Sequence, residues 1–189
     1  VLVLAPHTDD GEFGCGGTLL KYSGSGHHVF LLVLTKGGFG GNTDVRLREQ
    51  KEAALFMGAK DVFWGGFNDT ELVDNRETIL KIENVLHEVS PDMVFLNYYN
   101  DVHQDHRAAA QAGISASRYV REVLFYEVPT TQHFDPGIFV DIMDVLEKKI
   151  ELIKKHTSQV DRTRVNNLTI VESMQSCANF RGYQGRVKF

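Results

Sequence analysis

The sequence predicts a three-layer α/β fold of the doubly wound, Rossmann-like type, with a mainly parallel sheet and helices on both faces. Two observations predict it. Short continuous apolar runs, rich in β-branched and aromatic residues, alternate along the chain with longer segments of helical periodicity. The chain has 189 residues, which is enough for one such domain with its own core, so we expect a single domain over residues 1–189.

The first half of the chain predicts three strands and two helices. Residues 1–5 form a continuous apolar run, as in a strand buried on both faces, and the stretch after it is helical in its middle up to about Ser23. Residues 29–35 form a second buried run with many β-branched residues. Charged and apolar residues alternate at helical spacing over 43–57, and a brief third strand follows at 61–64.

The second half continues the alternation of strands and helices. Residues 77–89 predict an amphipathic helix that ends before Pro91, because proline disfavours helical geometry in the residue before it. A fourth strand at 93–96 precedes an alanine-rich helix at about 104–117, and a fifth strand is expected at 123–128. This order implies βαβ units with right-handed crossovers.

The end of the chain is less regular. Residues 139–142 are expected to add a further strand, followed by a helix at about 144–156. No element is predicted over 160–189, because neither periodicity is evident there.

Composition and charge exclude several classes of function. Hydrophobic residues make up 42% of the chain and charged residues 24%, which is typical of a globular protein. The formal net charge of −5 has the wrong sign for a protein that depends on phosphate contacts, so we expect no nucleic-acid partner. No apolar run approaches the ~20 residues of a membrane span and no signal peptide is evident, so we expect a cytoplasmic protein. Cys15 and Cys177 are then expected to be free thiols.

Three common motifs do not fit. The third glycine of a dinucleotide fingerprint starting at Gly14 would fall at Leu19. Residues 37–42 are glycine-rich but lack the Gly-Lys-Ser/Thr of a phosphate-binding loop, so we interpret them as a mobile rim. No Gly-x-Ser-x-Gly of serine hydrolases occurs.

Polar side chains instead gather after two of the predicted strands. The first strand is followed by His7, Asp9 and Asp10. The fourth strand is followed by Asp101, His103, Asp105 and His106. A doubly wound sheet binds ligands beyond the carboxyl ends of its strands, where strand order reverses, so the two clusters should face each other. Several carboxylates in one site raise one another's pKa unless a cation is present. Imidazole and carboxylate without thiolate suit Zn²⁺ with an open position for water, although iron and cobalt accept the same ligands.

Each cluster also has an ordinary structural explanation. Asp10 and Asp105 could cap helices, and a single histidine at a strand end is commonly a solvated residue. The metal site is favoured because two clusters rich in His and Asp occur at the strand ends that this fold brings together.

The residues of these clusters resemble the LmbE-like, or PIG-L, family of zinc-dependent deacetylases of N-acetylglucosamine conjugates. The resemblance rests on Pro6-His7-Thr8-Asp9-Asp10 with the following Gly14, Gly16, Gly17, Thr18 and Leu19, and on Asp101-Val102-His103-Gln104-Asp105-His106. Weaker matches follow at Arg46, Glu49, Asp69, residues 139–142 and residues 156–159. Thr8 departs from the usual proline. Gly11 departs from the usual glutamate, which Glu12 could replace.

The resemblance implies a metal centre and a general base. His7, Asp10 and His106 would bind the metal, and zinc would lower the pKa of its water to about 7 to make it a nucleophile. Asp9 would accept the proton of that water and return it to the departing amine.

The resemblance also implies further site residues. His103 would lie beside the scissile amide and stabilise the oxyanion, with Asp105 orienting or charging it. Arg46 and Asp69 match positions near the sugar, whereas a salt bridge from Arg46 to Glu49 within one helix is the structural alternative.

The predicted function is a metal-dependent hydrolase that removes the acetyl group from an N-acetyl amino sugar carried on a larger molecule. Two alternatives stay open at this stage. The same metal centre could hydrolyse another amide or an ester, or the clusters could be the polar rim of a sugar- or nucleotide-binding module without metal. A homo-oligomer is compatible with the sequence.

Overall fold

Five strands form the centre of the molecule in a computed structural model that covers residues 1–189. They are β1 (Leu2–Ala5), β2 (Phe30–Thr35), β3 (Asp61–Phe67), β4 (Met93–Asn97) and β5 (Glu122–Tyr126). The α-helices are α1 (Asp10–Gly24), α2 (Thr43–Met57), α3 (Arg76–Val89), α4 (Gln104–Ala116), α5 (Leu146–Lys154) and α6 (Ile170–Gly185). A short 3-10 helix spans Gly38–Gly40. None of the helices is both long enough and apolar enough to cross a membrane.

The strands are all parallel and lie in the order β3-β2-β1-β4-β5. The chain runs outward from β1 through β2 to β3 and then returns to place β4 on the other side of β1. Strand order therefore reverses between β1 and β4, where Val3 lies opposite Phe95. At such a reversal the loops after the two strands diverge and leave a crevice. The predicted fold class is confirmed.

The sheet carries a hydrophobic core on each face. Side chains of β1 alternate, so Val3 contacts the layer of α1, α2, α5 and α6, whereas Leu2 and Leu4 face the layer of α3 and α4. All three residues are 0% exposed, and burying each such side chain contributes roughly 1.5–3 kcal/mol. Burial on both faces explains the continuous apolar run at the start of the sequence. Cys15 and Cys177 are both free thiols, as predicted. Cys15 lies in the core on the face of α1, α2, α5 and α6.

The strand predicted at residues 139–142 is wrong. The segment has no regular structure, and Phe139 and Val140 are 39% and 41% exposed. The segment makes one backbone hydrogen bond to a distant part of the chain, in which the Ile142 amide donates to the carbonyl oxygen of Phe189 at 3.2 Å. A strand needs a ladder of such bonds, and β5, at this edge of the sheet, pairs only with β4.

Helix α6 was not predicted. Only Met174 and Gly182 of this helix are buried, so it shows little of the apolar periodicity on which a prediction depends. A signal was nevertheless present, because Thr169 and Glu172 form a capping box. The Glu172 amide donates to Thr169 Oγ1 at 3.1 Å, and the Thr169 amide donates to Glu172 Oε2 at 2.8 Å. A threonine followed by a glutamate three residues later is a recognised helix start.

Candidate active site

The turn between β1 and α1 brings His7 and Asp10 to one side of the crevice. The His7 amide donates to Asp10 Oδ2 at 2.9 Å, which fixes the carboxylate against the turn. Asp9 lies between them in the left-handed region, with φ of 80°, and its amide donates to Gln50 Oε1 at 3.2 Å. The turn therefore points the side chain of Asp9 in a different direction from the side chains of His7 and Asp10.

The turn between β4 and α4 brings the second cluster to the other side. His103 is the N-cap of α4, and its Nδ1 accepts a hydrogen bond from the Asp105 amide at 3.2 Å. His106 lies in the first turn of this helix, and its carbonyl oxygen accepts a bond from Asn97 Nδ2 at 2.8 Å. Asn97 is the last residue of β4, so this bond ties the helix start to the strand end.

Three donor atoms from the two turns form a nearly equilateral triangle. His7 Nδ1 lies 3.2 Å from His106 Nε2, and Asp10 Oδ2 lies 3.3 Å from each of these two nitrogens. Ligands at 2.0–2.1 Å from a tetrahedral Zn²⁺ are about 3.3 Å apart, so the residues present fit such an ion. Two other groups, His7 with His103 and His106, and His7 with Asp69 and Asp105, bring donor atoms within 4.8 Å. The triangle of His7, Asp10 and His106 has shorter distances between its donor atoms than 4.8 Å. In both of its histidines, the ring nitrogen that points away from the triangle already faces a carboxylate.

The outer nitrogen of His7 faces two carboxylates. His7 Nε2 lies 3.0 Å from Asp105 Oδ2 and 3.1 Å from Asp69 Oδ1. The Asp105 carboxylate also accepts bonds from the amides of Thr70 and Leu72, at 2.7 and 3.2 Å. Asp105 therefore contacts both histidines, because its side chain holds His7 and its backbone amide donates to His103 Nδ1.

His106 has an equivalent partner in Asp101. His106 Nδ1 lies 3.1 Å from Asp101 Oδ2, and the same oxygen accepts bonds from the hydroxyls of Thr130 and Thr131, each at 3.1 Å. Carboxylates placed behind metal-binding histidines fix the tautomer and ring orientation. The sequence placed Asp101 in the cluster but gave it no role. Its position at the start of the second motif was the available signal.

The carboxylates control the charge of the two histidines. Burial disfavours the imidazolium form, but hydrogen bonds to Asp10, Asp105 and Asp69 outweigh it and raise the pKa of His7 well above its usual range. For His106, burial is again outweighed, mainly by Asp10, which raises the pKa to about 9. Conversely, His106 and His7 lower the pKa of Asp10 despite its burial. The centre thus favours positive charge.

Asp9 lies in a different electrostatic environment. Desolvation by the surrounding protein raises its pKa to about 6, against the opposing charges of Arg46 and His156. Its side chain is 24% exposed, and Asp9 Oδ1 lies 3.7 Å from Arg46 Nη2. A partly accessible carboxylate with a raised pKa can take up a proton near neutral pH.

Arg46 and Asp69 both contact the loop around Gly38–Gly40. Arg46 is 5% exposed and donates to the carbonyl oxygens of Gly37 and Thr8, at 2.7 and 3.1 Å. Asp69 Oδ2 accepts a bond from the Phe39 amide at 2.9 Å, and His7 lowers the pKa of Asp69 to about 2 although burial opposes this shift.

Glu49 does not pair with Arg46, contrary to the structural alternative drawn from the sequence. The Glu49 carboxylate accepts bonds from the amide and the hydroxyl of Ser158, at 2.7 and 2.6 Å. Glu49 therefore holds the segment after α5 against α2.

A buried polar chain lies behind Asp9. Gln50 accepts a bond from the Asp9 amide and donates one to Glu12, whose Oε1 lies 3.9 Å from His156 Nε2. Gln50 and Glu12 are fully buried, and His156 almost so. A cavity of about 50 Å³ is lined by Asp9 and His156 among others and could hold a water molecule. Sequence reasoning missed Gln50, although it follows Arg46 by four residues on one helix face.

The imidazole and carboxylate groups gathered where the strand order reverses make this chain a doubly wound, Rossmann-like domain with a candidate metal site. A family profile described as GlcNAc-PI de-N-acetylase, PIG-L, matches residues 2–117. The chain is also 34% identical over 188 residues to the diacetylchitobiose deacetylase of Thermococcus kodakarensis, covering 84% of this chain and 69% of that protein. The chain therefore belongs to the PIG-L family of N-deacetylases, as its motifs predicted.

Solved structures agree with this assignment. The conserved protein TT1542 from Thermus thermophilus superposes with a TM-score of 0.90 at 29% identity, over 100% of this chain and 90% of that one. The N,N′-diacetylchitobiose deacetylase of Pyrococcus horikoshii, solved with an inhibitor, gives a TM-score of 0.87 at 25% identity, over 100% and 80% of the two chains. The predicted enzyme class, a hydrolase that removes N-acetyl groups, is confirmed.

Proposed function

We propose that this chain removes the acetyl group from the nitrogen of an N-acetyl amino sugar carried on a larger molecule. The observation that carries the proposal is the triangle of His7 Nδ1, Asp10 Oδ2 and His106 Nε2, with edges of 3.2–3.3 Å. Relatives named as diacetylchitobiose deacetylases support the sugar as substrate.

His7, Asp10 and His106 would hold a Zn²⁺ ion. When bound, such an ion lowers the pKa of a water molecule to about 7 and polarises the carbonyl group of the amide. In the neutral rings, Asp69 and Asp105 on His7, and Asp101 on His106, would accept the proton of the outward-facing ring nitrogen, so that the unprotonated nitrogen faces the metal.

Asp9 is the general base of the proposed reaction. Its carboxylate takes the proton of the attacking water as the water oxygen bonds to the amide carbon. It then gives the proton to the nitrogen as the carbon–nitrogen bond breaks, so the products are a free amine and acetic acid, which ionises to acetate. The partial exposure of its side chain leaves room for substrate on the open side.

His103 stabilises the negative charge that develops on the amide oxygen. Its Nδ1 accepts the Asp105 amide, so in the neutral ring the proton resides on Nε2 and can be donated to that oxygen. Burial and the nearby His7 and His106 lower the pKa of His103, which favours the neutral ring. A donor of this kind typically contributes about 3–4 kcal/mol to the transition state.

Arg46 and Asp69 form the wall of the sugar site. Both are buried beneath the loop around Gly38–Gly40, and Asp69 contacts both this loop and His7. The loop and the metal centre are thus held at a fixed separation, which suits a ligand that must contact both.

The test measures metal content and products together. Purified protein is analysed for stoichiometric zinc, iron and cobalt, and then assayed for acetate and free amine with diacetylchitobiose and a simple aryl acetamide as substrates. We expect zinc and faster turnover of the sugar. Turnover of the acetamide alone would indicate a general amidase, and a metal-free, inactive protein that still binds the sugar would indicate a binding module.

A further inference from the structure

A second cavity, of about 480 Å³, lies apart from the metal triangle, against β5, α1 and α6. Its walls are mainly apolar, and they include neither Asp9 nor any of the three residues of the triangle. Representative wall residues from the sheet, the helices, the segment between β5 and α5, and the chain end are Phe13, Phe125, Phe134, Ile142, Met174 and Phe189. The volume falls within the ~300–1,000 Å³ typical of small-molecule sites.

One buried cation lines this apolar cavity without a partner. Lys149 of α5 is 6% exposed, and its Nζ makes no hydrogen bond or ion pair with another residue of the chain. The charge of Glu127 raises the pKa of Lys149, but Glu127 is already paired with Arg181. Its two carboxylate oxygens accept hydrogen bonds from Arg181 Nε and Nη2 at 2.6 and 2.7 Å. Burial lowers the pKa of the Lys149 ammonium accordingly.

An ammonium group in such surroundings is unfavourable for folding. A buried charge without a partner costs free energy, and replacing it by an apolar residue of similar volume is commonly neutral or stabilising. Asp135, the other acidic residue of the cavity wall, lies at its exposed mouth. The cavity therefore offers both an apolar surface and a positive charge that the protein itself leaves unpaired.

We propose that this cavity binds a single-chain amphipathic carboxylate, with its hydrocarbon chain against the apolar walls and its carboxylate on Lys149 Nζ. An uncharged apolar ligand would leave the ammonium unpaired. A small inorganic anion would leave the apolar walls in contact with water. A fatty-acid-like molecule satisfies both parts of the cavity.

Calorimetric titration of the whole chain with decanoate, decanol and acetate tests this proposal. We expect saturable binding of decanoate, at least tenfold tighter than that of decanol. Lys149→Met should weaken decanoate binding at least tenfold and leave decanol binding unchanged or tighter. Lys154→Met is the matched control, because Lys154 lies on the same helix but is exposed and pairs with Glu151. Equal decanoate binding by the wild type and Lys149→Met would overturn the proposal.

The metal centre could also attract a carboxylate, and acetate separates the two sites. Acetate in excess should not displace decanoate, because it lacks the chain that the apolar walls require. A second variant, Ala178→Trp, places a large side chain in the cavity wall and should abolish decanoate binding while deacetylation continues. Displacement by acetate, or undiminished binding by Ala178→Trp, would locate decanoate elsewhere and reject the cavity site.

Discussion

At the scale of single residues, the candidate site depends on which ring nitrogen each histidine turns inward. His7 presents Nδ1 to the triangle and Nε2 to Asp105, whereas His106 presents Nε2 and gives Nδ1 to Asp101. A carboxylate thus holds His7 through Nε2 and His106 through Nδ1, and in both cases the remaining ring nitrogen faces the triangle. A carboxylate behind each ring matters because a rotated or protonated imidazole cannot bind a metal ion.

Removing a proposed metal ligand and removing the proposed general base should have different effects. His106→Ala should lose both the metal and the activity, because only two ligands remain. Asp9→Ala should keep the metal and lower kcat by about 10²–10⁴, the usual contribution of a general base. Metal analysis and acetate release on the same preparations check both outcomes. An Asp9→Ala protein with full turnover would contradict the assignment of the base.

Gln50 should affect catalysis through the backbone of Asp9. Gln50→Met keeps the side-chain length but removes the acceptor of the Asp9 amide and the donor to Glu12. We expect kcat to fall about tenfold with KM and metal content unchanged, because the carboxylate is less well positioned. It should also lower the free energy of unfolding by ~1–3 kcal/mol, since buried polar groups lose their partners.

The control for this variant is Gln111→Met on the exposed side of α4. It should change neither kcat nor stability. A Gln50→Met enzyme with wild-type kcat and reduced stability would show a purely structural role for Gln50.

At the scale of helices, the contact of α4 with the sheet requires a residue without a side chain at one position. A Cβ atom on Gly113 would lie 2.8 Å from Leu4 Cδ2 and 2.9 Å from Leu96 Cδ2. Close contact here brings the first turn of α4, with His106, down to the end of β4. Position 113 therefore helps to place the site although it lies two turns away from it.

Gly113→Ala should destabilise the protein even though alanine is the better helix former. We expect a loss of about 1–3 kcal/mol from overpacking, measured by chemical denaturation. Gly24→Ala, at the end of α1, is the control, because a Cβ there meets nothing within 4 Å. It should be neutral or stabilising by up to about 1 kcal/mol. If both variants behave alike, the close contact of α4 with the sheet is not the reason for Gly113.

The capping box of α6 should contribute measurably to stability. Thr169→Ala removes the acceptor of the Glu172 amide and should lower the free energy of unfolding by about 1 kcal/mol. Ser176→Ala, at an exposed position inside the same helix, should not be destabilising. Thermal denaturation of both variants checks this, and an unchanged Thr169→Ala protein would contradict the role of the box.

At the scale of the whole molecule, the site exists because the sheet reverses its strand order between β1 and β4. This part could be predicted from the sequence, since apolar runs fix the strands and the polar residues that follow them must meet at the reversal. The partners of Asp105 could not be predicted, because loop residues 69–72 approach it through tertiary folding. Residues 139–142 were misassigned because the presence of a ladder partner is not readable from local pattern.

Metal binding should stabilise the fold as a whole. An ion that binds only the folded chain adds about 2.7 kcal/mol when its free concentration is 100 times Kd. Chelation should therefore lower the melting temperature of the wild type but not that of His106→Ala. Differential scanning calorimetry with and without chelator checks this, and equal shifts in the two proteins would argue against the triangle as the binding site.

The left-handed backbone at position 9 has a consequence for mutation over evolutionary time. With φ of 80°, the position accepts glycine, asparagine or aspartate readily and resists β-branched residues. The proposed role of Asp9 as general base separately requires a carboxylate at this position. Aspartate meets both the backbone requirement and the chemical requirement. We therefore expect inactive descendants of this enzyme to carry asparagine or glycine at position 9 and to keep the same fold.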